Sequence, residues 1–192
     1  MPGGLNVASL QAWIMNPDQV SRVFPVRDVF GFPNPVNEVS ARLVAAGVVL
    51  QCVLILGLDQ PWLLLPLAYG FVARVLTGPT LSPLGQFVTR VVTPRLPIAS
   101  RLVAGPPKRF AQGIGATIST AAVVMHFGLG AAGFADALVG MIVVAATLEA
   151  SLGFCIGCKV FGLLMRAGVI PADVCASCRD LSRRRPAAVT PH

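Results

Sequence analysis

Charged residues are scarce in this chain. Asp, Glu, Lys and Arg make up 12% of its 192 residues, about half the share found in a soluble globular domain. Hydrophobic residues make up 55% and the mean hydropathy is +0.74. This composition excludes an ordinary soluble domain and indicates a polytopic membrane protein. The length allows one domain, so the helices are expected to share a single small bundle.

Aromatic residues are also few, at 7%, and the basic residues are spread between apolar runs. The net charge of +7 therefore does not indicate nucleic-acid binding, which uses clustered basic residues interleaved with stacking aromatics. The sequence has no phosphate-binding GxxxxGKS/T loop, no GxSxG elbow and no helical HExxH. These absences leave no enzyme class favoured.

No cleavable signal peptide is recognisable in residues 1–34, because no basic stretch precedes a compact apolar core. We expect these residues to form a partly ordered N-terminal arm at the membrane surface. Residues 181–192 are expected to form a disordered basic tail.

Four apolar runs are long enough to form helices that cross a bilayer about 30 Å thick. The predicted spans are residues 39–58, 62–78, 113–134 and 137–158, and the fourth helix is expected to continue past residue 158. Asn34 followed by Pro35 predicts the start of the first helix. The sequence therefore predicts an all-α membrane protein, with a four-transmembrane-helix bundle over residues 35–166.

A further helix is expected in the middle loop. Within residues 81–97, Ser82 and Pro83 predict a helix start, and the apolar residues that follow recur at helical spacing. About ten residues are too few to cross a membrane. We therefore expect an amphipathic interfacial helix.

Lys and Arg are distributed unequally between the loops. Residues 79–112 contain five of them and no acidic residue, and the chain from residue 155 contains six. The short turns near Asp59 and Asp136 contain none. The positive-inside rule therefore predicts a multi-pass plasma (inner) membrane protein whose middle loop and both termini are cytoplasmic.

Four of the five cysteines form two CxxC pairs. They are Cys155, Cys158, Cys175 and Cys178, in a C-x2-C-x16-C-x2-C pattern that is typical of four-thiolate zinc sites. The first interpretation is a structural metal site at the cytoplasmic face, completed by a CxxC segment over residues 167–180. We expect zinc ahead of an iron–sulfur cluster. The fifth cysteine, Cys52, is expected to be a small apolar residue of a membrane helix.

A second interpretation of the same residues is reversible thiol–disulfide or sulfur-relay chemistry. Lys159 lies one turn after Cys155 and is expected to lower its pKa. Against this interpretation, the predicted fourth helix puts both cysteines towards a helix C-terminus, where the dipole disfavours a thiolate. The objection fails if Gly153 or Gly157 ends the helix first. A third interpretation is a scaffold subunit of a larger membrane complex.

Glu149 lies inside the fourth predicted span, where a carboxylate needs a partner. Arg74, near the cytoplasmic end of the second span, is the expected partner in a buried ion pair. In a continuous helix, Cys155 and Cys158 point roughly opposite to Glu149. Glu149 is therefore not expected to be their proton donor.

Four stretches resemble a known family: "FPNPVNEVSARLVAAGVV" (32–49), "WLLLPLAYGFVARVLTGPTLSPLGQ" (62–86), "GPPKRFAQGIGA" (105–116) and "TLEASLGFCIGCKVFGLLMRAGVIPADVCASC" (147–178). The family comprises small bacterial, largely actinobacterial, integral membrane proteins and is catalogued as domain of unknown function number four-three-nine-five. The resemblance implies four membrane helices. Some members are encoded beside thioredoxin-like and thiosulfate sulfurtransferase proteins, which implies thiol or sulfur chemistry with such a partner. It implies no catalytic residue.

Overall fold

The computed structural model describes residues 34–96, 102–171 and 174. Within these ranges the chain forms six α-helices and one pair of short antiparallel strands. The helices are α1 (Glu38–Gly57), α2 (Leu64–Thr77), α3 (Pro83–Phe87), α4 (Gly105–Val123), α5 (Ala132–Leu152) and α6 (Ile156–Arg166), and the strands are β1 (Val36–Asn37) and β2 (Leu102–Val103). Nearly all of the predicted N-terminal arm, the basic tail and the second CxxC pair lie outside the described residues.

α1 begins later than the sequence predicts. Asn37, not Asn34, is its N-cap, and the Asn37 side chain accepts a hydrogen bond of 2.9 Å from the backbone N–H of Val39. The helix cannot begin earlier because the residues before Glu38 are extended in β1 and pair with β2. Asn34 instead accepts a 3.1 Å hydrogen bond from the backbone N–H of Gly105. It therefore caps the start of α4.

In the part of the chain that the structure describes, three helical segments are long and apolar enough to cross a membrane: Glu38–Gly57, Gly105–Gly128 and Ala132–Leu152. The second of these is α4 extended by π-helical turns over Val124–Gly128. The predicted span 62–78 corresponds to a shorter apolar helix, Pro61–Thr77, which consists of α2 and a preceding 3₁₀ turn. The helices Glu38–Gly57 and Pro61–Thr77 agree with the predicted bounds 39–58 and 62–78 to within one residue.

The third predicted span is displaced along the chain. α4 begins at Gly105 and not at residue 113, and its helical continuation ends at Gly128. The basic stretch before residue 113, which the sequence placed in the middle loop, is therefore helical. Pro106 and Pro107 are compatible with this because the N–H groups of a first helical turn have no helical partner to lose.

The predicted continuous helix through residue 158 is wrong. Gly153 has a φ of +66° and ends α5, and Cys155 has an extended backbone before α6 begins. A left-handed glycine is a usual helix terminator because it carries no Cβ. Arg42 of α1 holds this end of α5, since its guanidinium donates to the backbone carbonyls of Ala150 (3.1 Å) and Ser151 (2.6 Å).

After α2, the chain becomes helical at Pro83, and this helix start is as predicted. The Ser82 hydroxyl accepts a 3.3 Å hydrogen bond from the backbone N–H of Gly85, and Pro83 occupies the first helical position. The chain then continues through wider π-helical turns over Val88–Val92 and a 3₁₀ turn over Thr93–Arg95.

The long helices pack around a shared apolar core. α1 packs on α5, α2 packs on α4, and α4 also contacts α5 and α6. The approach of α2 to α4 depends on Gly115, because a Cβ there would lie 2.3 Å from a ring carbon of Phe71. Large apolar side chains such as Leu50 and Met141 stay exposed on the outside of the bundle, as lipid-facing residues do. The core residues are Val48, Cys52, Ile55, Leu64, Leu67, Phe71, Ala122, Ala135, Val139, Ile142 and Ala146.

Candidate functional site

The first CxxC pair lies at the N-terminus of α6. Cys155 is the N-cap residue (φ −90°, ψ 106°), and its carbonyl accepts the first helical hydrogen bond, from Lys159 N–H, at 3.2 Å. Cys158 lies in the first turn. Cys155 is buried, with 7% of its surface exposed, and Cys158 is half-buried. A helix N-terminus favours a thiolate. The objection to thiol chemistry that followed from a continuous helix is therefore wrong.

The two thiols differ in acidity. The pKa of Cys155 lies below its ordinary value, mainly because its sulfur is hydrogen-bonded to the Cys158 thiol. The charge of Lys108 and the backbone N–H of Cys158 act in the same direction, while burial and the charge of Glu149 oppose it. The same sulfur–sulfur hydrogen bond, with burial and the charge of Cys155, raises the pKa of Cys158. Cys155 is thus the more acidic thiol of the pair, and Cys158 is the less acidic one.

Lys108, and not Lys159, is the cation that acts on Cys155. The Lys159 ammonium lies over the Phe154 ring, 5.5 Å from its centroid. Lys108 is buried in the first turn of α4, and its ammonium is paired with the Glu149 carboxylate. Each charge needs the other, because an unpaired charge at such a depth is strongly disfavoured.

The predicted Arg74–Glu149 ion pair is wrong, since Glu149 pairs with Lys108. Arg74 is buried in α2 and donates hydrogen bonds to Gln112 Oε1 (2.9 Å) and to Ser82 Oγ (3.1 Å). The reason lies in the packing: α4 lies directly against α5, which carries Glu149, whereas α2 packs mainly on α4. Lys108 was not predicted as a site residue. The helix-start pattern Gly-Pro-Pro just before it is the signal that could have placed it in a span.

A cleft of about 250 Å³ runs between the helices beside the cysteine pair. Most of its lining side chains are apolar and belong to α1, α2, α4 and α5. Its polar end is formed by Arg74, Gln112, Glu149 and Cys155. Met141 also lines it, about 12 Å from Glu149 along α5 at the usual helical rise. The cleft therefore connects the Cys155 sulfur with the apolar interior of the bundle.

The predicted four-cysteine site falls only partly within the described chain. Cys155 and Cys158 lie together, whereas Cys175 and Cys178 lie outside the described residues. In the ranges that the structure describes, no group of three or more His, Cys, Asp or Glu residues could hold a metal ion. The metal site thus stays a prediction. Cys52 is fully buried in the core, as expected.

The position of Glu149 relative to the thiols also differs from the prediction. Its charge raises the pKa of both Cys155 and Cys158, and it lines the same cleft as Cys155. The helical periodicity that put these residues on opposite faces does not continue past Gly153. The break therefore brings the carboxylate and the thiols into one site.

These features define a helical protein whose described residues include three candidate membrane-crossing segments and a dithiol at one end of the bundle. The model of the family DUF4395, a domain of unknown function, matches residues 36–166, and the chain belongs to this family. The matched range includes Lys108, Glu149 and the first CxxC pair, and it ends before the second pair. Comparison with curated proteins and with solved structures gives no match.

Proposed function

We propose that this protein is a membrane-embedded thiol–disulfide exchange centre whose reacting groups are Cys155 and Cys158. The observation that carries the proposal is the position of Cys155 as N-cap of α6, with Cys158 in the same first turn. This arrangement lets one thiol ionise while its neighbour stays protonated. It is also the arrangement that the continuous helix expected from the sequence would have prevented.

The different environments of the two sulfurs give the exchange a direction. Cys158 is more exposed than Cys155, so the thiolate of a partner attacks the Cys158 sulfur of the disulfide. The Cys155 sulfur is the better leaving group because the thiol of lower pKa leaves faster. A second thiol of the partner then attacks the first partner sulfur, forms the partner's disulfide and expels Cys158 as its thiolate, which takes up a proton. The partner becomes a disulfide, and both cysteines become thiols.

The partner that fits this chemistry is a soluble dithiol protein, such as a thioredoxin-like protein, or a sulfurtransferase. We further propose that Pro61–Thr77 completes four membrane crossings and that the helical segment starting at Ser82 lies along the surface. The basic residues of the middle loop favour a cytoplasmic position for the dithiol and for both termini in the plasma membrane.

Thiol counting in the full chain tests the exchange function. In a Cys175→Ser/Cys178→Ser background, oxidation by diamide is expected to protect two thiols from maleimide labelling, and dithiothreitol should restore both. Cys155→Ser or Cys158→Ser should abolish this protection. Cys52→Ser is the matched control and should leave it intact, because Cys52 is buried in the core. Labelling that diamide does not change would contradict the proposal.

The four-cysteine metal site is a second candidate. One observation favours it: Val174, the residue before Cys175 in the sequence, lines a cavity together with Phe110 and Phe161. Phe161 follows Cys158 by one turn of α6. Elemental analysis of gently purified full-length protein tests this candidate. Bound zinc that is lost on Cys155→Ser and on Cys175→Ser alike supports it, and metal-free protein with four reactive thiols removes it.

A further inference from the structure

The cleft beside Cys155 has no role in the proposed thiol–disulfide exchange, which takes place at Cys158. The sulfur of Cys155 lines it, and only 7% of that residue is exposed. A reactant that bonds to this sulfur can reach it through the cleft. A protein partner is too large to enter the cleft. The cleft therefore suits a small molecule as a second reaction partner of the dithiol.

The cleft opens on the outside of the bundle. Met141 and Ile156 line it and are 58% and 40% exposed. Met141 belongs to a helix that is long and apolar enough to cross a membrane, so its exposed side chain contacts lipid. A molecule dissolved in the bilayer reaches the cleft without passing through water.

Hydrogen-bond donors are available at the polar end. Arg74 uses Nε and one terminal nitrogen for Gln112 and Ser82. Within the described part of the chain, its other terminal nitrogen and the Gln112 side-chain nitrogen have no acceptor. Both residues line the cleft. Donor groups on residues that line the cleft favour a ligand with acceptor oxygens. The volume of about 250 Å³ suits a small ring system, with any tail left in the lipid.

We propose that the cleft binds the ring of a membrane quinone and that the Cys155–Cys158 dithiol reduces this quinone to the hydroquinone. A quinone combines the required properties, since it is soluble in lipid, carries two acceptor oxygens and accepts two electrons. The proposal rests on the exchange function and adds its electron acceptor.

The step balances as follows. The Cys155 thiolate bonds to a ring carbon, and the Cys158 sulfur then attacks Cys155 Sγ. The disulfide bond forms, the carbon–sulfur bond breaks, and its electron pair remains on the ring. The two thiols lose two electrons and two protons in total, and the two ring oxygens gain the protons. Glu149 lines the same cleft and is paired with Lys108, which puts proton-exchanging groups beside the ring.

The test uses full-length protein in lipid nanodiscs and decylubiquinone, whose ring positions are all substituted. Reduced protein is mixed with the quinone, and quinone absorbance and thiol content are followed together. Ala145 lines the cleft, so Ala145→Phe fills it. Ala137 is exposed on the same helix and does not line it, so Ala137→Phe is the matched control. Reduction of the diamide-oxidised proteins by dithiothreitol checks the thiols independently.

We expect saturable oxidation of the wild-type dithiol by decylubiquinone. Ala145→Phe should slow it about tenfold or more, because small misplacements of reacting atoms already cost that much. Ala137→Phe should not slow it, and dithiothreitol should act equally on all three proteins. Oxidation that Ala145→Phe does not slow would overturn the quinone site. A disulfide that diamide forms but decylubiquinone does not would also overturn it while leaving the exchange function standing. If neither oxidant forms a disulfide, both the quinone site and the exchange function are contradicted.

Discussion

Two buried side chains of opposite charge act against each other at the Cys155 sulfur. Lys108 lowers the pKa of Cys155 and Glu149 raises it, and the two are paired with one another. Together, the two charges change the pKa of Cys155 less than either charge does alone. Neutralising one member should therefore reveal the effect of the other.

We predict that Lys108→Met and Glu149→Gln shift the reactivity of Cys155 in opposite directions. Without Lys108 the thiolate loses a favourable charge, so the pKa of Cys155 rises and its alkylation at a given pH below that pKa slows. Without the Glu149 carboxylate the pKa falls, and alkylation stays fast at lower pH. The measurement is the pH profile of iodoacetamide labelling of the Cys155 peptide, followed by mass spectrometry.

The double variant Lys108→Met/Glu149→Gln is the control for this experiment. It removes both charges, so no buried charge is left without a partner. Its labelling profile should therefore lie between those of the single variants. Profiles of the two single variants that move in the same direction would show that local unfolding, and not charge, controls the thiol.

At the level of helices, the site depends on the interruption between α5 and α6. Gly153 is left-handed, and a Cβ at this position would lie 3.1 Å from Glu38 Oε1. Gly153→Ala is expected to lower stability by about 1–2 kcal/mol, the usual cost of a left-handed residue that carries a Cβ. Thermal unfolding in detergent measures the effect. Gly140→Ala is the control in α5, because no atom lies within 4 Å of its added Cβ.

Gly140→Ala is not expected to destabilise the protein as Gly153→Ala does. Alanine in place of Gly140 should be neutral or stabilise by up to about 1 kcal/mol, because glycine weakens a helix interior. Equal effects of the two substitutions would mean that the left-handed turn before Cys155 is absent in the folded protein.

The contact between α6 and α4 gives a second prediction at this scale. A Cβ on Gly157 would lie 2.5 Å from Ala111 Cβ and 2.6 Å from Ala111 Cα. Because backbone cannot yield as a flexible side chain does, Gly157→Ala should destabilise by about 1–3 kcal/mol, as overpacking does. It should also move the Cys155 end of α6 away from Lys108, which a slower alkylation of Cys155 would report.

Gly162→Ala is the matched control in the same helix, since nothing lies within 4 Å of its added Cβ. It is expected to leave alkylation unchanged and to be neutral or stabilising. If Gly157→Ala behaved in the same way, α6 would not pack on α4 as described.

Local signals in the sequence predicted the elements that depend on neighbouring residues only. The first span and the Ser82 cap of α3 followed from hydropathy and capping residues, and the structure confirms both helices. A helix end at Gly153 was an alternative to the predicted continuous helix and could not be chosen, because an isolated glycine in an apolar run is compatible with a continuous membrane helix. Its left-handed conformation depends on contacts from α1, such as the Arg42 hydrogen bonds to the end of α5.

The candidate site was predictable in its chemistry but not in its geometry. The CxxC spacing identified Cys155 and Cys158, and the cost of a carboxylate in a span identified Glu149. The partner of Glu149 could not be chosen from sequence, because Arg74 and Lys108 both lie near the same end of the bundle. Only the packing of α4 on α5 decides it in favour of Lys108.

At the scale of the whole molecule, polar chemistry is concentrated at one end of the bundle. The dithiol, the Lys108–Glu149 pair and Arg74 lie where α5 ends and α4 begins. At the opposite end, the turn between α1 and α2 carries Gln60 and no basic residue. From this asymmetry we predict that the dithiol end faces the cytoplasm.

Cysteine labelling in intact cells tests that assignment. Gln60 and Arg166 are both exposed, so Gln60→Cys and Arg166→Cys, each in an otherwise cysteine-free chain, report the two ends. Because basic residues are retained on the cytoplasmic side during insertion, a membrane-impermeant maleimide should label Gln60→Cys directly and Arg166→Cys only after permeabilisation. The opposite pattern would put the dithiol outside the cell and exclude cytoplasmic thiol proteins as its partners. Labelling of both positions before permeabilisation would mean that Pro61–Thr77 does not cross the membrane.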